Sequence, residues 1–355
     1  MPRVLIVDDS PTAREVLATI LGSDPELEVV GFARNGREGV AQVKKLKPDV
    51  VTMDLNMPVM DGFAATREIM IEEPTPIVII SGADRAAEVE TAMETLRAGA
   101  VNLLLKPVGP SSPEYDARAK EVVRVVKAMA GVFVIRRRRH LMPKQADQVN
   151  AVSPPDYLTK PHRIRVIAIA ASTGGPPALV KILGALPTDI PVPVLIVQHI
   201  ADGFMDGFAN WLDEVISLDV KIAKDHEPLL PATVYFAPQD RHLGVSQSRI
   251  RLSDASPVGG FRPAGTHLFQ TVADAFGCDA VGVILTGMGN DGVEGLMKIH
   301  QAGGVTIAQD EASCVVFGMP RAAIEAGAVD SVLPLDAIGP RLDQLIENRS
   351  SETRR

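Results

Sequence analysis

Residues 166–175 read VIAIAASTGG. A run without charged or strongly polar side chains ends abruptly in a serine, a threonine and two glycines. A short apolar run bounded in this way is the pattern of a strand buried on both faces, as in a parallel sheet covered by helices. The prolines that follow in TGGPPALVKIL are normal in a first helical turn, so the segment reads as strand, turn and helix. Ser172 stands at the tip of the strand. Three readings are open to it: cap of the next helix, part of a phosphate cradle, or nucleophile.

Outward from this stretch, apolar runs alternate with amphipathic segments, the βαβα signature of parallel sheets. Towards the C-terminus, strands are predicted near 164–170, 193–198, 233–237, 280–285 and 304–308. Helices are predicted near 176–185, 204–217, 266–276, 291–301, 319–326 and 336–347. The N-terminal part repeats the alternation, with strands near 3–8, 29–33, 49–54, 76–81 and 101–105. Its helices fall near 11–22, 36–46, 61–70, 85–96 and 113–130. Five such units in about 110 residues match a small doubly wound domain. The expected organisation is α/β with two doubly wound parallel-sheet domains. One spans 1–108 with a helix running to about 132, and the other spans 164–348. Between them, residues 133–163 hold RRRR and several prolines and read as a basic linker. Residues 349–355 read as a disordered tail.

The chain has 355 residues, more than one core usually accommodates, and a mean hydropathy of +0.13. Aromatics make up 4%, so the cores are expected to be aliphatic. Residues 1–106 carry 17 acidic against 11 basic side chains, residues 107–163 carry 5 against 11, and residues 164–355 carry 22 against 14. Two acidic bodies flanking a basic connector argue against nucleic-acid binding by either. No run approaches the ~18 apolar residues of a membrane helix, and the N-terminus enters a strand without the pattern of a signal peptide. Two cysteines, Cys278 and Cys314, make no disulfide framework, so a cytoplasmic setting is expected.

Acidic residues gather at strand ends. VLIVDDS places Asp8 and Asp9 after the first strand, and VVTMDLNMP places Asp54 after the third. In a parallel sheet these carboxylates converge on the edge where open α/β sheets bind ligands. Such a cluster calls for a hard divalent cation, and Mg²⁺ fits. Ser81 in VIISGAD and Lys106 in LLLKP add a hydroxyl and an ammonium at two more strand ends. That set suits an acyl phosphate on a carboxylate, with metal and lysine balancing the phosphoryl charge.

Over residues 1 to about 108 the chain resembles the receiver domain of two-component response regulators. The DD pair, Asp54 in DLNMP, DG at 61–62, Ser81 and KP at 106–107 carry the resemblance. It implies a flavodoxin-like fold and phosphorylation at Asp54 by a histidine kinase. It also implies Mg²⁺ bound by Asp9, Asp54 and the Asn56 carbonyl, with Asp8 assisting. The family usually has Tyr or Phe three residues before the lysine as a switch side chain; here that position is Leu103.

Ser172 needs a base and an orienting carboxylate if it is a nucleophile. ASTGGP matches neither GxxxxGK[ST] nor GxGxxG, and Ala170 breaks the GxSxG elbow. PVLIVQHI places His199 after a buried strand, and AVGVILTGMGNDGVEG places Asp291 in a glycine-rich turn after another. Serine, histidine and aspartate at strand ends of one parallel sheet are what a hydrolytic triad needs, and the backbone around Met288 could offer N–H groups to an oxyanion.

The chain is further similar, over nearly its full length, to the protein-glutamate methylesterase/glutaminases of bacterial chemotaxis, the CheB family. ASTGGP, VQHI, YFAPQDRHL, LTGMGNDG and GGVTIAQDEASCVVFGMPRAAIEAGAVD carry the similarity. It implies a Rossmann-like catalytic domain with Ser172 as nucleophile, His199 as general acid and base, and Asp291 as its orienter. Thr173 would stand beside the nucleophile and the Met288 amide in the oxyanion hole. The implied reaction is hydrolysis of γ-glutamyl methyl esters, and often deamidation of glutamines, on methyl-accepting chemoreceptors. No metal is expected there. The implied kinase is of the CheA type, and phosphorylation is expected to relieve inhibition of the catalytic site by the receiver. FRPAGTHLF departs from the family's usual RPSVDVLF, with Thr266 in place of an acidic residue and His267, an alternative base, beside it.

Overall fold

The structure is a computed structural model that describes residues 1–82, 86–107, 109, 111–132, 134 and 163–347. Most of the predicted linker and the whole predicted tail, with the RRRR run, lie outside the described residues.

In the N-terminal domain the strands are β1 (Arg3–Val7), β2 (Glu28–Ala33), β3 (Val50–Met53), β4 (Ile77–Ser81) and β5 (Asn102–Leu105). The helices are α1 (Pro11–Gly22), α2 (Gly36–Leu46), α3 (Gly62–Glu72), α4 (Ala86–Ala98) and α5 (Tyr115–Met129). All neighbouring strands are parallel, in the order β2-β1-β3-β4-β5, which is the flavodoxin-like winding. The period of two along each strand divides the core between two helical layers. Val4, Ile6, Val78 and Ile80 meet Leu17 of α1 and Val126 of α5. Leu5, Val7, Met53 and Ile79 meet Val43 of α2, Ile69 of α3 and Met93 of α4. Ser10, Asn35 and Asp61 cap α1, α2 and α3 by accepting from amides three residues on.

The C-terminal domain holds β6 (Val166–Ala171), β7 (Val194–Gln198), β8 (Asp219–Ile222), β9 (Thr233–Phe236), β10 (His242–Ser246), β11 (Arg249–Ser253), β12 (Ala280–Ile284), β13 (Val305–Gln309) and β14 (Ser331–Leu333). Its helices are α6 (Gly175–Leu183), α7 (Met205–Val215), α8 (Gly265–Phe276), α9 (Val293–Gln301), α10 (Met319–Glu325) and α11 (Leu335–Glu347). Seven strands form one parallel sheet in the order β14-β13-β12-β6-β7-β9-β8. Ile167, Ile169, Val283 and Ile307 face α6, α7 and α11, while Val166, Ala168, Leu195 and Ile284 face α8, α9 and α10.

Four strands were not expected from the sequence. β8 and β14 are short edge strands, only partly buried, and so lack the apolar run that marks the interior ones. β10 and β11 form an antiparallel hairpin outside the main sheet, turning at Gln247 and Ser248, both at positive φ. That turn lacks the glycine or asparagine that usually signals one.

The chain reverses its winding between β6 and β12, which are neighbours in the sheet although far apart in sequence. The carboxyl ends of strands at such a reversal open a crevice. VIAIAASTGG therefore delivers Ser172 to the switch point of the sheet. The two domains are also packed together: Met93 and Leu96 of α4 belong to the same apolar cluster as Met205 and Phe208 of α7.

Candidate active site

Ser172 follows β6, its amide donating to the Thr286 carbonyl at 3.0 Å beyond β12. The helix cap at this turn is Gly174, at φ +77° and with no side-chain cap bond, so Ser172 does not cap α6. Gly287 lets the strand-end loops close in: a Cβ there would stand 2.7 Å from the Ser172 Cβ. The Thr286 hydroxyl donates to the Thr173 carbonyl at 2.9 Å and accepts from the Val316 amide, bracing the turn from behind.

His199 follows the adjacent β7, its amide donating to the Ala171 carbonyl at 2.9 Å. Its ring lies flat against Phe261, with centroids 4.4 Å apart and planes 3° apart. The His199 Nε2 is 3.0 Å from Asp291 Oδ2. The approach does not have hydrogen-bond geometry, and neither ring nitrogen has a hydrogen-bond partner among the described residues. The Ser172 hydroxyl is thus not hydrogen-bonded to the imidazole here, a relation that commonly tightens only once substrate is bound.

Asp291 is buried in a cradle of amides. Its Oδ2 accepts from Gly265 N at 2.6 Å, and its Oδ1 accepts from Thr266 N at 3.0 Å and Gly292 N at 2.9 Å. Gly265 and Thr266 open α8, so the carboxylate sits on the positive end of a helix. Burial opposes its charge most strongly, but His199 and the Thr266 and Gly265 amides outweigh it and hold the carboxyl below the usual carboxylate range. The Thr266 hydroxyl accepts from Gly292 N at 2.8 Å and completes the cradle. This role was invisible in the sequence, where Thr266 stood out only as a departure from a pattern. His267 points elsewhere, stacked on the buried His242 with ring centroids 4.7 Å apart, and does not line the Ser172 cleft.

The cleft is a cavity of about 270 Å³ between the two domains. Ser172, His199 and Met288 line it from one side, and Asn102, Leu103 and Arg124 from the other. Asn102 Nδ2 donates to the Thr173 hydroxyl at 3.1 Å, and Arg124 reaches the Met288 sulfur at 3.8 Å. The Met288 side chain packs onto the N-terminal domain's core. Leu103 is buried within the apolar cluster.

The second predicted constellation lies at the other sheet edge. One oxygen of each of Asp8, Asp9 and Asp54 falls within 4.8 Å of the others, an all-oxygen set suited to a small hard cation. Lys106 Nζ stands 2.9 Å from Asp54 and 3.0 Å from Asp8. Burial pushes the Asp54 carboxyl up to about 6, with Asp8 adding to the effect and Lys106 opposing it. Burial also opposes charge on Lys106, but Asp54 and Asp8 prevail and hold it above its usual value. Ser81 is buried at the end of β4, and its carbonyl accepts from Lys106 N. Asn56 is exposed in the loop beyond Asp54. Gly62 allows α3 to start directly behind the loop that follows Asp54, since a Cβ there would collide with the Asp54 carbonyl.

An acidic pocket on a 2-1-3-4-5 sheet, joined to a parallel-sheet domain with serine, histidine and aspartate at its switch point, points to a receiver-linked hydrolase built on two α/β domains. Residues 167–342 match the family model for CheB methylesterase, and residues 4–112 match that for the response regulator receiver domain. The chain belongs to the CheB methylesterase family. A protein-glutamate methylesterase/protein-glutamine glutaminase of Anaeromyxobacter dehalogenans (strain 2CP-C) is 52% identical, over 96% of this chain and 98% of its own. A relative of the same designation from Myxococcus xanthus (strain DK1622) is 49% identical, over 96% of each chain. The crystal structure of the Thermotoga maritima CheB methylesterase catalytic domain is 39% identical and covers 51% of this chain and 98% of its own, with a TM-score of 0.50. No described helix is long and apolar enough to cross a membrane.

Proposed function

We propose that the chain is a protein-glutamate methylesterase and protein-glutamine glutaminase of the cytoplasm, regulated by phosphorylation. Its substrates are methyl-accepting chemoreceptors, and its phosphodonor is a histidine kinase of the CheA type. Residues 1–108 act as receiver and residues 164–348 as catalytic domain. The observation that carries this reading is the amide-held Asp291 carboxylate, 3.0 Å from His199 on the strand next to that of Ser172.

Ser172 Oγ attacks the γ-carbonyl of a glutamyl methyl ester while His199 takes its proton at the nitrogen turned away from Asp291. Asp291 remains ionised, fixes the ring and stabilises the imidazolium. The Met288 amide and Thr173 lie where the oxyanion forms. His199 returns the proton to the leaving methanol. Water then attacks the acyl-enzyme by the same route and restores Ser172. With glutamine as substrate, ammonia leaves in place of methanol.

In the receiver, Asp54 accepts the phosphoryl group. Lys106, already bridging Asp54 and Asp8, would follow the new charge, and Ser81 would meet a phosphoryl oxygen. Asp8, Asp9, Asp54 and the Asn56 carbonyl would hold Mg²⁺, which when bound neutralises charge during phosphoryl transfer. The Asn102–Thr173 bond and the shared apolar cluster support an inhibitory receiver position that phosphorylation weakens.

Methanol release from methylated receptor fragments tests the reading. Wild type is expected to release methanol faster with a small phosphodonor, and Ser172→Ala to release none. Equal release by the mutant would refute the nucleophile; wild-type activity on other esters but on no receptor would refute the substrate.

A further inference from the structure

Gln198, the last residue of β7, is 1% exposed. Its Nε2 donates to two carbonyls at once, that of Ser172 at 2.9 Å and that of His199 at 2.6 Å. β6 and β7 are paired as far as Ala171 and Gln198, and His199 N→Ala171 O is the next backbone bond. Beyond it the chains part, Ser172 turning towards α6 and His199 towards α7. One side-chain amide then spans both turns.

The other end of that amide is informative. Gln198 Oε1 is buried without a hydrogen-bond partner among the described residues and lies against Gly175, where a Cβ would collide with it. A buried acceptor left unpaired costs about 1–3 kcal/mol. The reverse orientation would set Oε1 against two carbonyl oxygens, so the amide orientation is fixed by its surroundings. Both donor hydrogens are used while the acceptor goes unsatisfied, so the position requires an NH₂ group.

We propose that Gln198 is a positioning residue of the esterase site, its NH₂ group setting the separation of Ser172 from His199. The inference rests on the roles given to those two residues above. Gln198 touches neither substrate nor reacting atoms; it holds the two backbones from which the reacting side chains project. A shift of about 1 Å between such groups can cost roughly 10²-fold in rate.

Covalent labelling of Ser172 in the full chain by a fluorophosphonate reads this geometry without the receptor. Ser172 Oγ bonds to phosphorus, its proton passes to His199 and fluoride leaves. Gln198→Met keeps the side-chain length but donates nothing, and is expected to slow labelling by about tenfold or more. Gln198→Glu restores one donor when its carboxyl is protonated and none when ionised. Its labelling, taken relative to wild type at each pH to cancel the titration of His199, Asp202, Glu121 and other cleft groups, should be partly recovered in acid and fall as pH rises. In methanol release the loss should lie in kcat with KM little changed. Wild-type labelling rates in either folded variant would overturn the proposal. So would a slowed Gln198→Met accompanied by a Gln198→Glu equally slow at every pH. If Gln198→Met does not fold, as read by its melting temperature, Gln198→Glu alone decides. Failure of wild type to label at Ser172 would instead overturn the nucleophile assignment, and this inference with it.

Discussion

Asn102 of the receiver and Thr173 of the catalytic domain are joined by a 3.1 Å hydrogen bond, one residue away from Ser172. Asn102 opens β5, and Lys106 follows the same strand's far end. The pocket of Asp8, Asp54 and Lys106 and the cleft are thereby connected along a single strand. Asn102→Ala should raise methanol release by the unphosphorylated full chain and leave the phosphorylated rate unchanged. A net hydrogen bond contributes about 0.5–1.5 kcal/mol, so the basal rate should rise by roughly two- to tenfold. An unchanged basal rate would show that the bond does not hold the receiver closed.

Asp291→Asn keeps the shape of the cradle but removes the charge that faces His199 and the first turn of α8. Activity should fall by roughly 10² or more. Stability should fall by about 1–2 kcal/mol through the lost cap. Because the folded carboxyl titrates below its ordinary value of 3.8, its contribution is complete above that value and lost as pH falls through the folded pKa. The stability gap between wild type and Asp291→Asn should therefore be flat at neutral pH and close in acid. Denaturant melts across pH measure it.

Asp54, pushed up to about 6, should bind Mg²⁺ in competition with protons. Calorimetry in buffers of different ionisation heat should detect proton release on Mg²⁺ binding near that pH, with affinity falling below it. Asp54→Asn should bind without the release and should lose stimulation by a phosphodonor.

Gly287→Ala places a methyl group 2.7 Å from the Ser172 Cβ. The expected result is a drop in kcat of about tenfold or more, since the methyl group meets both the Met319 sulfur and Ser172 and displaces Ser172, with a loss of stability of about 1–3 kcal/mol from overpacking. A crystal structure of the variant would show Ser172 displaced.

The interior of both sheets was legible because buried parallel strands are continuous apolar runs, and their ends announced Asp8, Asp54, Lys106, Ser172, His199 and Asp291. The edges were less so. β8 and β14 are short and half exposed, and the β10–β11 turn uses Gln247 and Ser248 where glycine would have signalled it. Gln198 passed unnoticed, and Thr266 stood out only as a departure from a pattern, for a different reason. Each acts through backbone groups of residues distant in sequence or around a turn, and neither residue type signals such a bond. Asn102 meets Thr173 only through the packing of one domain on the other, which no local periodicity encodes.

The Asn102–Thr173 contact also has a thermodynamic counterpart. If the receiver is held in the inhibitory position proposed above, a ligand that enters the Ser172 cleft favours the arrangement in which Asn102 has let go, the same one that phosphorylation favours. Linkage makes that preference mutual. An occupied cleft would then strengthen the receiver's hold on its phosphoryl group by the same factor by which phosphorylation strengthens the cleft's hold on its ligand. On that reading the substrate would itself be an effector of the phosphorylation equilibrium.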